Sequence, residues 1–303
     1  MPAPLSRHRL RSSAFIRPDD HFKIEPKKVV FLSVEGDETE RAYFEYLNEH
    51  VDNSIIKIEV LRHRRGDGYS DPIHVIDLLT EYISVRAGEL VPEPLFDQLS
   101  SHFSKEELQS YIDNESSSLP PNRQKEIKES LLLIGIDLDY RRYLQTYGNE
   151  SDYFAVVLDR DAGNHSREVM EQCIARCNEH NYGCFVSNPC FEFWLLLHLC
   201  DVQNAYSEHD LNEFLQNQKI SARHTRVSAE LNKLAKHGKT LGPKKFEEFY
   251  LPNIQNAIKN AQAFVNDFPE LLDCLGTNIP KLFSLIQCKI CKQTDNSSVS
   301  SGD

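Results

Sequence analysis

The chain has 303 residues, with 34 lysines and arginines against 46 aspartates and glutamates, for a formal net charge of −12. Its length suits one large domain or two modest ones, and its composition is that of an ordinary globular protein. Such an acidic chain is no generic polyanion binder, so any contact with nucleic acid needs a local basic patch working against the global field.

The longest apolar stretches fall far short of a membrane span, which predicts a cytoplasmic protein with no membrane partner. Residues 1–27 carry Arg7, Arg9, Arg11 and Arg17 without an apolar segment, so a flexible basic arm is expected rather than a signal peptide. The eight cysteines lie mostly in apolar or helical-looking sequence, and reduced thiols are expected. Cys288 and Cys291 form the one Cys-x-x-Cys, with no second pair to complete a zinc site.

In chain order, Val29–Val34 is an apolar, β-branched run that stops at Glu35-Gly36, reading as a buried parallel strand with a sharp turn at the glycine. A helix follows from Thr39 to about His50, with Ala42, Tyr43, Tyr46 and Leu47 at helical spacing. Asp37, Glu38 and Glu40 suit its N-terminus electrostatically. Ile55–Leu61 predicts a second strand, leaving through the basic loop Arg62-His63-Arg64-Arg65-Gly66-Asp67-Gly68. Arg64 and Arg65 are candidate phosphate ligands there. Asp71-Pro72 opens a helix through Ile83. Residues 88–150 break the βα rhythm and read as a helical insertion, with helices at 104–113 and 122–146.

Tyr153–Leu158 is the third strand, ending in Asp159-Arg160-Asp161. Aspartates two apart on an extended segment share one side, which suits chelation. Side by side, the two strands would bring Glu35, Asp159 and Asp161 to one sheet edge, where ligands of parallel sheets bind. Three carboxylates there call for a hard cation such as Mg²⁺ or Mn²⁺. A helix over about 165–180 and a strand at Gly183–Ser187 follow. Asn188-Pro189 then leads into the apolar helix Phe191–His198, in which Glu192 needs either an arginine partner or a place in the site. From 209 on the chain reads as helical (209–217, 225–237, 244–266, 278–288), and residues 293–303 as a disordered tail. The resulting division is an arm at 1–27, an α/β domain at 28–205 carrying the insertion, a helical region at 206–292 and the tail.

Three blocks carry a resemblance: Val34–Phe44, Val156–Asp161 and Ser187–His198. They resemble the RloB/AbiLii family of the TOPRIM superfamily, which includes topoisomerases, primases and overcoming-lysogenization-defect nucleases. The resemblance implies a Rossmann-like parallel sheet with helices on both faces. It also implies a Mg²⁺-dependent nuclease, the toxic effector of an anti-phage abortive-infection system, working with an ABC/SMC-like ATPase. Glu35 would correspond to the TOPRIM glutamate, and Asp159 and Asp161 to its aspartate pair. Arg160 joins Arg64 and Arg65 as a candidate for transition-state charge, and Glu40, Asn188 and Glu192 are candidates for supporting the site. The family's Tyr-x-Lys-like element is replaced here by Leu241-Gly242-Pro243-Lys244. No tyrosine is placed as a topoisomerase nucleophile, and no nucleotide-binding element for primase chemistry is found. The substrate stays open between RNA, including tRNA, and DNA, and so does assembly into a homo-oligomer. The alternative from another class is an inactive TOPRIM subunit that docks on and regulates a partner ATPase.

Overall fold

The computed structural model describes residues 26–36, 38–53, 55–62, 71–114, 119–146, 150–236 and 240–286. Strands β1 (Lys28–Val34), β2 (Ile56–Val60), β3 (Tyr153–Asp159), β4 (Gly183–Asn188) and β5 (Gly276–Thr277) form one sheet in the order β2-β1-β3-β4-β5. All neighbours are parallel except β4 and β5. The chain first moves outward from β1 to β2 through α1 (Thr39–His50). It then crosses back over β1 to β3 through α2 (Pro72–Arg86) and the insertion, so the winding direction reverses between β1 and β3.

Strand alternation sorts the side chains into two cores. Val30, Leu32 and Val34 face α1, α8 (Phe191–Leu199), α11 (Arg226–Ala235), α13 (Ile254–Ala261) and α14 (Ile279–Ile286). Val29 and Phe31 face α2 and α7 (Arg167–Glu179) on the other side. With both faces covered, the strands need the near-continuous apolar runs the sequence contains. Helix α8 is apolar all round, with Phe191, Phe193, Trp194, Leu195, Leu196 and Leu197 fully buried, because other elements enclose it.

The insertion comprises α3 (Glu93–Leu99), α4 (Lys105–Ile112), α5 (Pro121–Leu133) and α6 (Leu138–Gln145), around a small core of its own. The single helical stretch expected over 122–146 is broken at Gly135, whose φ of 83° turns the chain, and Asp137 then caps α6. Helix α6 ties the insertion back to the sheet. The Tyr140 hydroxyl donates to Glu59 on β2 at 3.0 Å, and the buried Arg141 pairs with Glu81 of α2.

Residues 206–286 are not a separate helical region. Beyond the short α9 (Val202–Ala205), helices α10 (Glu208–Gln216) and α11 add Phe214, Val227 and Leu231 to the α8 core. The helix expected at 244–266 is divided into α12 (Pro243–Lys245), a π-turn at Phe246–Tyr250, a 3₁₀ turn at Leu251–Asn253 and α13, because Pro252 has no N–H for the helical ladder. The chain then returns as β5, where a Cβ on Gly276 would strike the Val265 backbone. Asn278 extends the edge beside β4 by bonding Val186 N–H and the Cys184 carbonyl.

The six cysteines among the described residues are free, and Cys173 and Cys177 are buried beneath the sheet. No helix among these residues is long and apolar enough to cross a membrane.

The start of β1 is pinned by Asp152, whose carboxylate accepts Val29 N–H at 2.9 Å and an Arg86 N–H at 2.8 Å with only 1 % of its side chain exposed. Asp152→Ala strands both donors. Urea unfolding is expected to show a loss of about 3 kcal/mol, against under about 1 kcal/mol for Asp97→Ala at an exposed pair.

Candidate metal centre

The site lies at the carboxyl ends of β1 and β3, where the strand order reverses and open α/β sheets bind their ligands. The ladder continues one step past β1, with Glu35 N–H donating to the Val157 carbonyl at 3.1 Å. The Glu35 side chain then turns to β3. Its Oε2 accepts the Asp159 N–H at 3.0 Å, and its Oε1 lies 3.1 Å from His165 Nε2. Residues 124 apart in sequence thus meet directly.

Asp159 is held from the other side by α8. Cys190 supplies no side-chain cap, and Asp159 Oδ1 instead accepts the Phe191 N–H at 2.8 Å. This seats a carboxylate at the positive end of a helix. Desolvation, then the charges of Glu40, Glu35 and Glu192, push the Asp159 carboxyl well above the usual carboxylate range. Glu40 is buried, and a Cβ on Gly36 would fall on its carboxylate. The glycine at 36 therefore makes room for Glu40 and does not serve a left-handed turn. Glu192 lies beside Asp159 and the buried Cys190 thiol, which burial and then these two charges raise well above the ordinary thiol value. No arginine pairs with Glu192 among the described residues.

Asp161 arrives by a different route from the one its spacing suggests. The strand ends at Asp159, and Asp161 adopts a left-handed φ of 27°, which aspartate tolerates better than most residues. Its N–H donates to the Pro189 carbonyl and its own carbonyl receives the Asn164 and His165 N–H groups, so it heads a tight turn. The argument from extended alternation does not hold for this pair. Asp161 Oδ2 is bonded by the Asn164 amide at 2.6 Å.

Arg160 is reassigned. It is buried, its Nε donating to the Leu272 carbonyl and a terminal nitrogen to the His165 carbonyl, both at 2.8 Å. A guanidinium so placed braces the turn and does not reach outward to a phosphate. Arg64 and Arg65 lie outside the described residues. Asn188 donates from Nδ2 to the Leu271 carbonyl, while its buried Oδ1 has no partner among the described residues.

His165 is the residue the sequence reading misses. Its hydrogen bond to Glu35 raises the imidazole pKa against the opposing effect of desolvation. It lies in an irregular turn with no periodicity to mark it. The one available hint was its position four residues after Asp161.

The donor set is all oxygen and mutually repelling, and the cleared space over Gly36 admits a carboxylate. Both features fit a hard divalent cation. The oxygens are not drawn to one point, since each predicted ligand turns at least one oxygen to a protein donor. Among the described residues, the trio of donor atoms lying within 4.8 Å of one another is His209, Asp210 and Glu213, away from this edge on α10. Arg226 already neutralises the last two at 3.2 and 2.9 Å.

Fold and site together define an open, mostly parallel α/β protein with an acidic centre at its switch point. Within that class the chain belongs to the RloB-like family, whose model, described as RloB-like protein, matches residues 30–286. No curated protein and no solved structure matches it.

Beneath the site, Tyr43 and His198 form a buried polar pair. His198 Nδ1 lies 3.0 Å from the Trp194 carbonyl and must carry the proton, leaving Nε2 to accept the Tyr43 hydroxyl at 3.0 Å. Burial depresses this imidazole from 6.5 to about 3. The unfolded chain therefore binds one more proton than the folded chain between those values. Stability contributed by neutral His198 is complete above about pH 6.5 and is lost as pH falls toward 3, by about 1.4 kcal/mol per unit. In chemical denaturation at stepped pH, His198→Gln is expected to lose that one-proton slope relative to wild type.

Proposed function

We propose that the protein is a metal-dependent endonuclease of the TOPRIM type, acting as the toxic effector of an anti-phage abortive-infection system alongside an ABC/SMC-like ATPase. The observation that carries the reading is the bond from Asp159 N–H to Glu35 Oε2, which brings the two predicted acidic blocks together at the switch point with Glu40 and Glu192 around them. A purely structural site has no use for so many like charges at one strand edge, since each is costly without a counter-charge.

Glu35, Asp159 and Asp161 would hold Mg²⁺ or Mn²⁺, which when bound supplies charge neutralisation at a scissile phosphate and its leaving oxygen. The chain's own residues set the geometry. His165 and the Asp159 N–H clamp both oxygens of Glu35, fixing the plane of its carboxylate. From there Glu35 completes the ligand set or takes the proton of the attacking water or 2′-hydroxyl. The α8 N-terminus orients Asp159, and Arg160 holds the turn that delivers His165. Both RNA, including tRNA, and DNA remain substrates of this reading, because nothing in the acidic centre reads a base.

A second reading, an inactive subunit that docks on the ATPase, is favoured by one feature. On α5 of the insertion, Leu133 is 84 % exposed beside Leu132 at 37 %, an apolar step suited to a partner surface.

The two readings separate on Asp159. Asp159→Asn keeps an acceptor for Phe191 N–H and removes a carboxyl whose ionisation burial and its acidic neighbours oppose. Without divalent cation the variant is expected to melt about 1–2 °C higher than wild type, equivalent to about 1 kcal/mol. Mg²⁺ or Mn²⁺ should stabilise wild type alone, and cleavage of bulk RNA or DNA should fall at least about a thousandfold in the variant. Wild type that neither binds metal by titration calorimetry nor cuts either nucleic acid would favour the docking subunit.

His165→Ala is expected to act more mildly. It should weaken metal binding and cleavage by about 10–100-fold, the usual range when a ligand loses its supporting hydrogen bond, and His165→Gln should recover part of the loss.

A further inference from the structure

The acidic centre repels the phosphates it is proposed to cut, so cations must stand nearby within a screening length of about 8 Å. One segment joined to the site is rich in such cations. Phe214–Ala229 contains Lys219, Arg223, His224 and Arg226 but no acid, in a chain with 46 aspartates and glutamates. Arg226 is fully engaged by Asp210, Glu213 and Glu230. Lys219 and Arg223 are exposed, and neither side chain has an ion pair or hydrogen bond among the described residues.

The turn carrying them is well organised. Lys219 and Thr225 form an antiparallel bridge, and the Ile220 and Ser221 N–H groups both reach the His224 carbonyl, at 3.0 and 3.2 Å. Ser221 Oγ accepts the Arg223 and His224 N–H groups. This framework holds the two cations without using either.

The base of the turn is fastened to the acidic centre. Asn217, at a left-handed φ of 43°, accepts the Val227 N–H at 3.0 Å and donates to Cys190 Sγ at 3.4 Å. Cys190 immediately precedes Phe191, whose N–H bonds Asp159. Asn217 therefore joins the N-termini of α8 and α11, and the 218–225 turn starts from that junction.

Resting on the nuclease reading above, we propose that Lys219 and Arg223 form a clamp for the nucleic-acid backbone, each taking a phosphate that flanks the one over the carboxylates. Two flexible cations on a rigid turn suit a repeating phosphate chain and read no base, so the clamp positions a strand without selecting its sequence.

The test uses the full chain and fluorescein-labelled single-stranded RNA and DNA 30-mers of mixed sequence. Binding is followed by anisotropy without divalent cation from 50 to 200 mM salt, and cleavage is followed with Mg²⁺. Lys219→Ala/Arg223→Ala is expected to bind about tenfold more weakly and to flatten the log K against log salt slope by about 1.4, the value for two single-strand phosphates. KM should rise while kcat and the melting temperature hold. Ile220→Ser, an uncharged change on the same exposed turn, should bind as wild type does. If the double variant binds and cuts within twofold of a wild type that cleaves, the clamp is wrong and the nuclease reading stands. Binding lost in the double variant of a chain that never cleaves would keep the clamp and remove the nuclease. A wild type that binds neither strand overturns both.

Discussion

Like charges held together against their repulsion set the terms for the rest of the molecule. Glu35, Glu40, Asp159 and Glu192 gather where β1 and β3 end, and the three glutamates oppose the ionisation of the buried Asp159. Three devices keep the group in place. The Asp159 amide and His165 grip Glu35, the first turn of α8 grips Asp159, and a missing side chain at position 36 leaves room for Glu40. None of these requires a cation, so the carboxylates are held at the strand ends by the protein's own donors, with their oxygens divided among separate partners.

The frame is stiff because of what lies behind it. The first turn of α8 is fixed by a helix whose apolar residues are wholly enclosed, and the Tyr43–His198 pair locks α1 to the same helix through a buried hydrogen bond. On the opposite face of the sheet, Arg160 is bound into the chain at Leu272, so even the irregular turn after β3 is tied to residues near the C-terminal end of the fold. The 206–286 region is therefore structural support for the acidic edge as much as a covering for the sheet.

Much of this was legible from residue order. Buried parallel strands are continuous apolar runs, so β1 and β3 announce themselves, and a run that ends on a carboxylate points to the ligand edge. Glu35 and Asp159 followed from that alone. What failed did so for identifiable reasons. Arg160 looked like an exposed cation because charge says nothing about enclosure, and its buried partners are carbonyls, which every residue carries. The spacing of Asp161 suggests a continuing strand, but β3 stops two residues earlier. His165 occupies a turn whose shape depends on contacts to Pro189 and Arg160, and no local pattern records them. Strand β5 has two residues, too few for any alternation to appear.

The bond between Glu35 and Asp159 joins residues 124 apart, with the whole 88–150 insertion between them. Contacts of such separation form late, because a long loop must close before they can yield any stabilisation. On the ribosome, β1, α1, β2 and α2 emerge well before β3, and α8, which caps Asp159, emerges later still. A nascent chain therefore carries Glu35 for most of its early synthesis with nothing to pair it. The acidic centre first exists only once α8 has followed β3 out, so assembly of the site is timed by translation itself.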